Sequence, residues 1–561
     1  MYTIIFLKEI HMKTCDKNMT FSDCELAIVR KAIDKGQEQI SRKKVNAPEI
    51  KEIMAIMENF IKEKKIICYG GTAINNILPI EDQFYDKELD IPDYDCFSAT
   101  AVKDAKELAD LYYKKGFTEV EAKSGQHYGT YKVFVNFIPV ADLTFLVPEI
   151  YDNMKKEVIK VDGILYAPPN FLRMSMYLEL SRPEGDINRW EKVLKRLVLL
   201  NKHYPLYGKK CSHVETQRIF EETAPKSLDL RTLSEMSVGR KSKTRSKSKA
   251  SDKTPNKIMS KTTTKNKTLS KSREKSKTKS LVAVKTETLE KYNFNFSKEI
   301  YFIARDSLID QGVVFFGGYA NAMYSRYLPK KQRVALKKIP DFDVLSTDPE
   351  KTATIVKERL EDLDITNVKI IKHNKIGELL AVHYEIRVGL DTIAFVYEPL
   401  ACHSYNVIRI NNRAIKIATI DTMMSFYLAF YYIERPYYDR NRILCMCEYL
   451  FKVQQKNRLK QKGLLKRFSL ECYGHQPTIE DMRAEKTKKF QQLKDNRNGK
   501  EFQMWFLRYI PRENDEKKNG NNKKSQTKTA TKTSQKTTKK NKKTSKNKTR
   551  KSLGFLANLG L

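Results

Sequence analysis

The chain has 561 residues, 40% of them apolar, and a formal charge of +37. That length provides for two or three domains with real cores. No apolar run approaches the ~20 residues of a membrane span, and the nine cysteines include no CxxC pair, which predicts reduced, mostly buried thiols and no structural zinc.

In chain order, the N-terminal MYTIIFLKEI has a five-residue apolar stretch and no cleavage pattern, so no signal peptide is expected. Residues 21–64 predict helices, with Ile50, Ile53, Met54, Ile56, Met57 and Ile61 recurring near the helical period. KKIICYGGTAINNIL then reads as a short strand, two glycines, a hydroxyl residue and a helix. DYDCFS predicts a strand and residues 101–115 a helix; YKVFVNF and PVADLTFLV predict two strands split at Pro139. Residues 170–201 read as helical, broken at SRPEGD.

Residues 240–279 hold 16 Lys/Arg against two acidic residues, and residues 517–551 hold 15 Lys/Arg and no acid. Both tracts are rich in Lys, Ser, Thr and Asn, and neither can bury enough apolar surface to offset the entropy of ordering it. They predict a disordered basic linker over 237–283 and a disordered basic tail over 513–561. A solvated segment is the bland reading of each; such charge density also suits a polyanion partner.

After the linker the earlier order returns. GVVFFGGYANAMYSRYLP mirrors YGGTAINNILP, PDFDVLS mirrors PDYDCFS, and TMMSFYLAFYYIERP mirrors LRMSMYLELSRP. Blocks repeated in one order predict two tandem α/β (α+β) modules with small mixed sheets. The expected division is an N-terminal helical segment 1–50, a first module 51–236, the linker 237–283, a second module 284–410, a helical region 411–512 and the tail 513–561.

Asp93 and Asp95 stand two apart on a strand, so both side chains point to one face. Side-by-side carboxylates are costly without a cation between them, and a divalent metal suits them. Asp142, in an otherwise apolar strand, supplies a third carboxylate, and three such groups can hold two metals for an in-line phosphoryl displacement. Gly70 and Gly71 before a helix let backbone approach phosphate, and Thr72 can add a hydroxyl contact. Each piece alone has a bland reading, a turn or a solvated edge; their order and spacing together favour the chemical one.

Strand–GG[ST]–helix, a DxD strand and a third strand aspartate resemble the nucleotidyltransferase fold of DNA polymerase β type. The duplicated module and FLRMSMYLELSRPEGDINRWEKVLKRL resemble the poly(A) polymerase catalytic subunits of poxviruses and giant DNA viruses, over roughly residues 50–510. The gap from the glycines to DxD is longer than in most of that superfamily, so ILPIEDQFYDKELD is expected to loop out.

The resemblance implies template-independent addition of AMP from ATP to RNA 3′ ends with release of pyrophosphate. It implies ATP near Gly70, Gly71 and Thr72, two Mg²⁺ or Mn²⁺ ions on Asp93 and Asp95, and Asp142 on the ion that activates the 3′-hydroxyl. Arg189, Lys192, Lys195 and Arg196 are candidates for the triphosphate or RNA backbone, with a solvated helix face as the bland alternative. Tyr177 and Tyr128 are candidates for stacking on adenine, with core packing favoured for both. The basic tracts are expected on RNA, and a homodimer or a processivity partner is left open. A cytoplasmic viral replication site, with packaging in the virion, is the implied location. The alternatives are a uridylyl- or CCA-adding enzyme and an inactive RNA-binding scaffold.

The second copy keeps Asp341 and Asp343 but has Tyr319 in place of Thr72. Aligning Pro399 on Pro148 puts Ile393 at the place of Asp142, with Asp391 two residues back. It is expected to retain the fold without turnover.

Overall fold

The computed structural model describes residues 15, 18–211, 298–328 and 341–512. The expected linker, the tail and the C-terminal KSLGFLANLGL lie outside these residues.

α1 (Phe21–Val45) starts at Thr20, whose hydroxyl accepts from the Asp23 amide at 3.2 Å. α2 (Pro48–Lys64) starts on a proline, whose missing amide costs nothing at that position, and buries the apolar stripe read from the sequence. There follow β1 (Ile67–Tyr69), α3 (Gly70–Ile77), β2 (Tyr94–Ser98), α4 (Ala101–Lys114), β3 (Val120–Ser124), β4 (Thr130–Val135) and β5 (Ile138–Phe145). α5 (Pro148–Lys155), β6 (Ile159–Val161), β7 (Ile164–Tyr166), α6 (Pro169–Leu180) and α7 (Trp190–His203) complete the first half.

The second half runs through α8 (residues 298–310), β8 (Val314–Phe316), α9 (Gly317–Ser325), β9 (Phe342–Leu345), α10 (Pro349–Glu361), β10 (Val368–His373), β11 (His383–Val388) and β12 (Asp391–Tyr397). Then come β13 (His403–Ile410), β14 (Arg413–Ala418), α11 (Ile420–Tyr431) and α12 (Arg440–Lys456). β15 (Cys472–Tyr473), α13 (Ile479–Leu493), α14 (Lys500–Phe506) and β16 (Arg508–Tyr509) end the described chain.

The duplication is visible as strand order. The first sheet runs β16-β3-β4-β5-β2-β1-β7-β6 and the second β10-β11-β12-β9-β8-β14-β13-β15. Leaving out β16 and β15, seven strands correspond one to one. The senses agree as well: β2 lies parallel to β5 as β9 does to β12, and β1 antiparallel to β2 as β8 does to β9. Both sheets are mixed, and the fold is α/β as expected.

α6 and α11, at matching places in the two halves, pack on one another. The Ser404 amide donates to the Ser181 carbonyl at 2.8 Å and the Asn153 side chain to the Tyr432 carbonyl at 3.1 Å. The Arg467 guanidinium grips the buried Asp421 carboxylate through two nitrogens, at 2.6 and 3.2 Å.

Three sequence expectations change. The strand break lies at Asn136–Phe137, both at positive φ (49° and 65°), and Pro139 sits inside β5 beside a register shift at Val133/Phe134. A two-residue turn needs those dihedrals, and the bulge relieves the proline's missing donor. Residue 410 falls at a similar turn, between β13 and β14, whose Asn411 and Asn412 have φ of 50° and 64°; β14 therefore belongs to the second sheet, and β16 returns to the edge of the first. Six of the nine cysteines are paired: Cys15–Cys24, Cys211–Cys445 and Cys402–Cys472. Partners 234 and 70 residues apart leave no local spacing to read. Cys68, Cys96 and Cys447 are free and buried, as expected.

Candidate active site

The site forms where β1 and β2 end. Tyr69, the last residue of β1, pairs with Asp95, and Asp95 pairs across the parallel strand with Asp142. The sequence thus delivers two carboxylates to directly opposed positions. Asp93 stands just before β2 at the exposed mouth of the site. Its carbonyl accepts the Thr72 hydroxyl at 2.7 Å. Thr72 is itself buried, so its hydroxyl fixes the aspartate loop where the sequence suggested a phosphate contact.

The three carboxylates act on one another. Burial, then the charges of Asp93 and Asp142, push Asp95 up to about 7. Burial and Asp142 push Asp93 upward, opposed by Lys132. Lys132, the cross-strand partner of Asp142 on β4, places its ammonium against that carboxylate. An all-oxygen, mutually repelling donor set with one ammonium already drawn to it fits a hard divalent cation. Asp142 is partly exposed and paired with Lys132.

Gly70 has φ 73° and begins α3; a Cβ there would come within 2.5 Å of Asp95 Oδ2. Only glycine allows that turn and that approach. Gly71 faces cations: a Cβ on it would lie 2.6 Å from Tyr85 Oη and 2.9 Å from Arg196 Nη1.

The cations come from the turn before α7 and from α7 itself. Arg189 pairs with Glu179 at 2.8 Å and its charge reaches Asp95. Lys192 is pushed below the usual lysine range by Arg196, by burial and by Arg189. Lys195 turns away and pairs with Glu191 in solvent. Arg189, Lys192 and Arg196 thus form the patch, and Lys195 does not join it. Tyr177 is buried core. Tyr128 is 41% exposed and packs on Trp505 at 4.5 Å, so the expectation of core packing does not hold for it.

The second module's counterpart is occupied by side chains. Asp343 is opposed on β12 by Phe395, not by Ile393 as the proline alignment suggested, because the segment from strand to proline is two residues shorter. Asp391 lies at the exposed start of β12, opposite Val388. Asp341 and Asp343 are buried, at 2% and 8% exposure. Tyr427, Phe430 and Tyr438 with Arg442, Ile443 and Met446 of α12 line what remains, a cavity of about 30 Å³.

Residues 55–186 match the family described as the poly(A) polymerase catalytic subunit. Over that stretch the chain is similar to these subunits. A protein assigned that name in African swine fever virus (isolate Tick/Malawi) is 34% identical over 180 residues, 31% of this chain and 38% of that protein. One from Acanthamoeba polyphaga mimivirus is 34% identical over 175 residues, 30% of each chain. The matched stretch thus spans 30% to 38% of the length of these relatives. The crystal structure of the Megavirus polyadenylate synthase superposes with a TM-score of 0.62 at 19% identity, covering 92% of this chain and 91% of that one. The fold of the described residues is therefore shared with that synthase. The aspartates, the glycine turn and the first part of the helical segment, through residue 186, all fall in the stretch the family matches; Arg189, Lys192 and Arg196 lie beyond it.

Sequence reasoning passed over Tyr85, Phe84, Asn75 and Lys132. The signal for the first two lay in the looped-out segment, whose aromatic pair FY stands among charged residues.

Proposed function

We propose that the protein is a template-independent poly(A) polymerase, transferring AMP from ATP to the 3′-hydroxyl of RNA. One observation carries this reading: beside the Gly70–Gly71 turn, carboxylates that repel one another meet cations that repel one another. The first group has too few cations and the second too few anions, and a metal-bound nucleoside triphosphate brings both. Asp93, Asp95 and Asp142 would hold two divalent ions, Mg²⁺ or Mn²⁺. When bound, these make the attacking hydroxyl a better nucleophile and offset charge on the leaving group.

The chain's own residues orient the reactants. Gly70 and Gly71 open the first turn of α3 to the triphosphate, where backbone N–H groups favour an anion. Arg189 and Lys192 neutralise phosphate oxygens beside the carboxylates. Thr72 holds Asp93 in place through its carbonyl. The O3′–Pα bond forms as the bond from Pα to pyrophosphate breaks, and the hydroxyl proton passes to water. The second module serves as a noncatalytic partner to the first, and the basic tracts retain RNA. The viral relatives support work at a cytoplasmic replication site.

Incubation of the purified full chain with a short RNA primer, Mg²⁺ or Mn²⁺ and each nucleoside triphosphate in turn tests this. Extension with ATP alone is expected. Preference for UTP or CTP, or no extension with any nucleotide, would overturn it.

A further inference from the structure

The segment between α3 and β2 is long, and it is tied down at Asp82, Phe84 and Tyr85. The side-chain oxygen of Asn75, itself 2% exposed, accepts from the amides of Phe84 and Tyr85 at 2.7 and 2.9 Å. Nearer its start, Asp82 is held by Lys202 and His203 of α7. These ties present an aromatic pair to Arg196. The guanidinium carbon stands 4.9 Å from the Phe84 ring centre and 5.7 Å from that of Tyr85. Arg196 Nη2 donates to Tyr85 Oη at 2.7 Å.

We propose that Tyr85 is a positioning residue that fixes Arg196 as the clamp for the nucleotide's triphosphate, with Gly71 allowing the guanidinium to approach the first turn of α3. The inference rests on the adenylyl-transfer reading and deepens it. Three features support it. The phenol accepts one N–H and the aromatic faces take the guanidinium plane, which leaves the other donors of the fork in a fixed direction. Both terminal nitrogens, Nη1 and Nη2, lie 2.9 and 3.0 Å from where a Cβ on Gly71 would sit, so they point at the first turn of α3. Lys192 is held below the usual lysine range by Arg196 and Arg189 even with Glu179 paired to Arg189, so these cations outnumber the carboxylate beside them. A side chain at position 71 would collide with Tyr85 Oη and both guanidinium nitrogens, so the glycine lets the pair sit directly against the first turn of α3.

The test uses inorganic tripolyphosphate, which has the phosphates and no base, alongside adenosine, which has the base and no phosphates. Binding of each to the full chain is measured by calorimetry or thermal shift with Mg²⁺ present, so the readout does not depend on turnover. Tyr85→Phe keeps the ring, the stacking and the hydrogen bonds to Asn75 but removes the acceptor. It should weaken tripolyphosphate by about tenfold, the worth of a charge-assisted hydrogen bond, and leave adenosine unchanged. Arg196→Gln should weaken tripolyphosphate further, and Arg196→Lys should restore part of that affinity by charge alone. In primer extension the KM for ATP should rise more than kcat falls. Unchanged tripolyphosphate affinity in both Tyr85→Phe and Arg196→Gln, with normal melting curves, would overturn the clamp. Equal weakening for adenosine and tripolyphosphate would overturn it too, since a merely structural role disturbs both. Failure of the wild-type chain to extend RNA would instead count against the adenylyl-transfer reading, and the binding comparison would still decide the clamp.

Discussion

Asp95 and Asp142 are direct cross-strand partners on adjacent parallel strands, and at the same register of the second sheet the pair is Asp343 and Phe395. One duplicated scaffold thus presents a charge-repelling carboxylate pair once and an aspartate paired with a phenylalanine once. The metal-dependent chemistry proposed for the first module needs the former, and the second module lacks the third carboxylate at that register.

Repulsion at the first site sets up a trade-off between stability and function. Asp95→Asn and Asp142→Asn should each lower primer extension by orders of magnitude. In metal-free buffer Asp95→Asn should melt above the wild type, by about 2–4 °C for each kcal/mol of repulsion relieved. Mg²⁺ should raise the melting temperature of the wild type and do so less for the variant. Melting curves with EDTA and with Mg²⁺ check this; a lower melting temperature for Asp95→Asn in EDTA would contradict it.

Lys132 is the cation that meets Asp142 before metal does. Its side chain is 40% exposed, so the pairing is weak, and metal displaces it at small cost. Lys132→Gln should therefore lower the Mg²⁺ concentration for half-maximal extension, by about two- to fivefold. A metal titration of activity reads the shift; a higher metal requirement would show that Lys132 assists the loaded site.

Residues 517–551 carry 15 Lys/Arg and no acidic residue. Removal of 517–561 should weaken binding to any RNA alike and flatten the dependence of affinity on salt, by about 0.7 in the log–log slope for each phosphate of a single strand that the segment had neutralised. Single-nucleotide addition at saturating RNA should change little. Binding curves at several salt concentrations check it, and identical slopes would mean that this segment does not touch RNA.

Much of the fold and site is legible in the sequence because it is local. The strand–glycine–helix turn, the i, i+2 aspartates and the duplicated block order each occupy a short window, and periodicity places the elements around them. Asp142 is legible as a polar residue out of pattern in an apolar strand. What escapes depends on pairings distant in sequence. Arg196 reaches Tyr85 across 111 residues, and Cys211 meets Cys445 across 234. Proline alignment misplaces the Phe395 register by two residues because it cannot see a shortened turn. A hydroxyl beside two glycines suggests a phosphate ligand at Thr72, whereas the fold commits that hydroxyl to the Asp93 carbonyl.

The central claim is that one copy of the aspartate pair performs chemistry and the other does not. The most direct test is primer extension with ATP by two double variants side by side, Asp93→Asn/Asp95→Asn and Asp341→Asn/Asp343→Asn, each checked for a normal melting transition. The account predicts that the first loses extension by orders of magnitude and the second stays within a fewfold of the wild type. Near-normal extension by the first variant, or equal impairment of both, would contradict it.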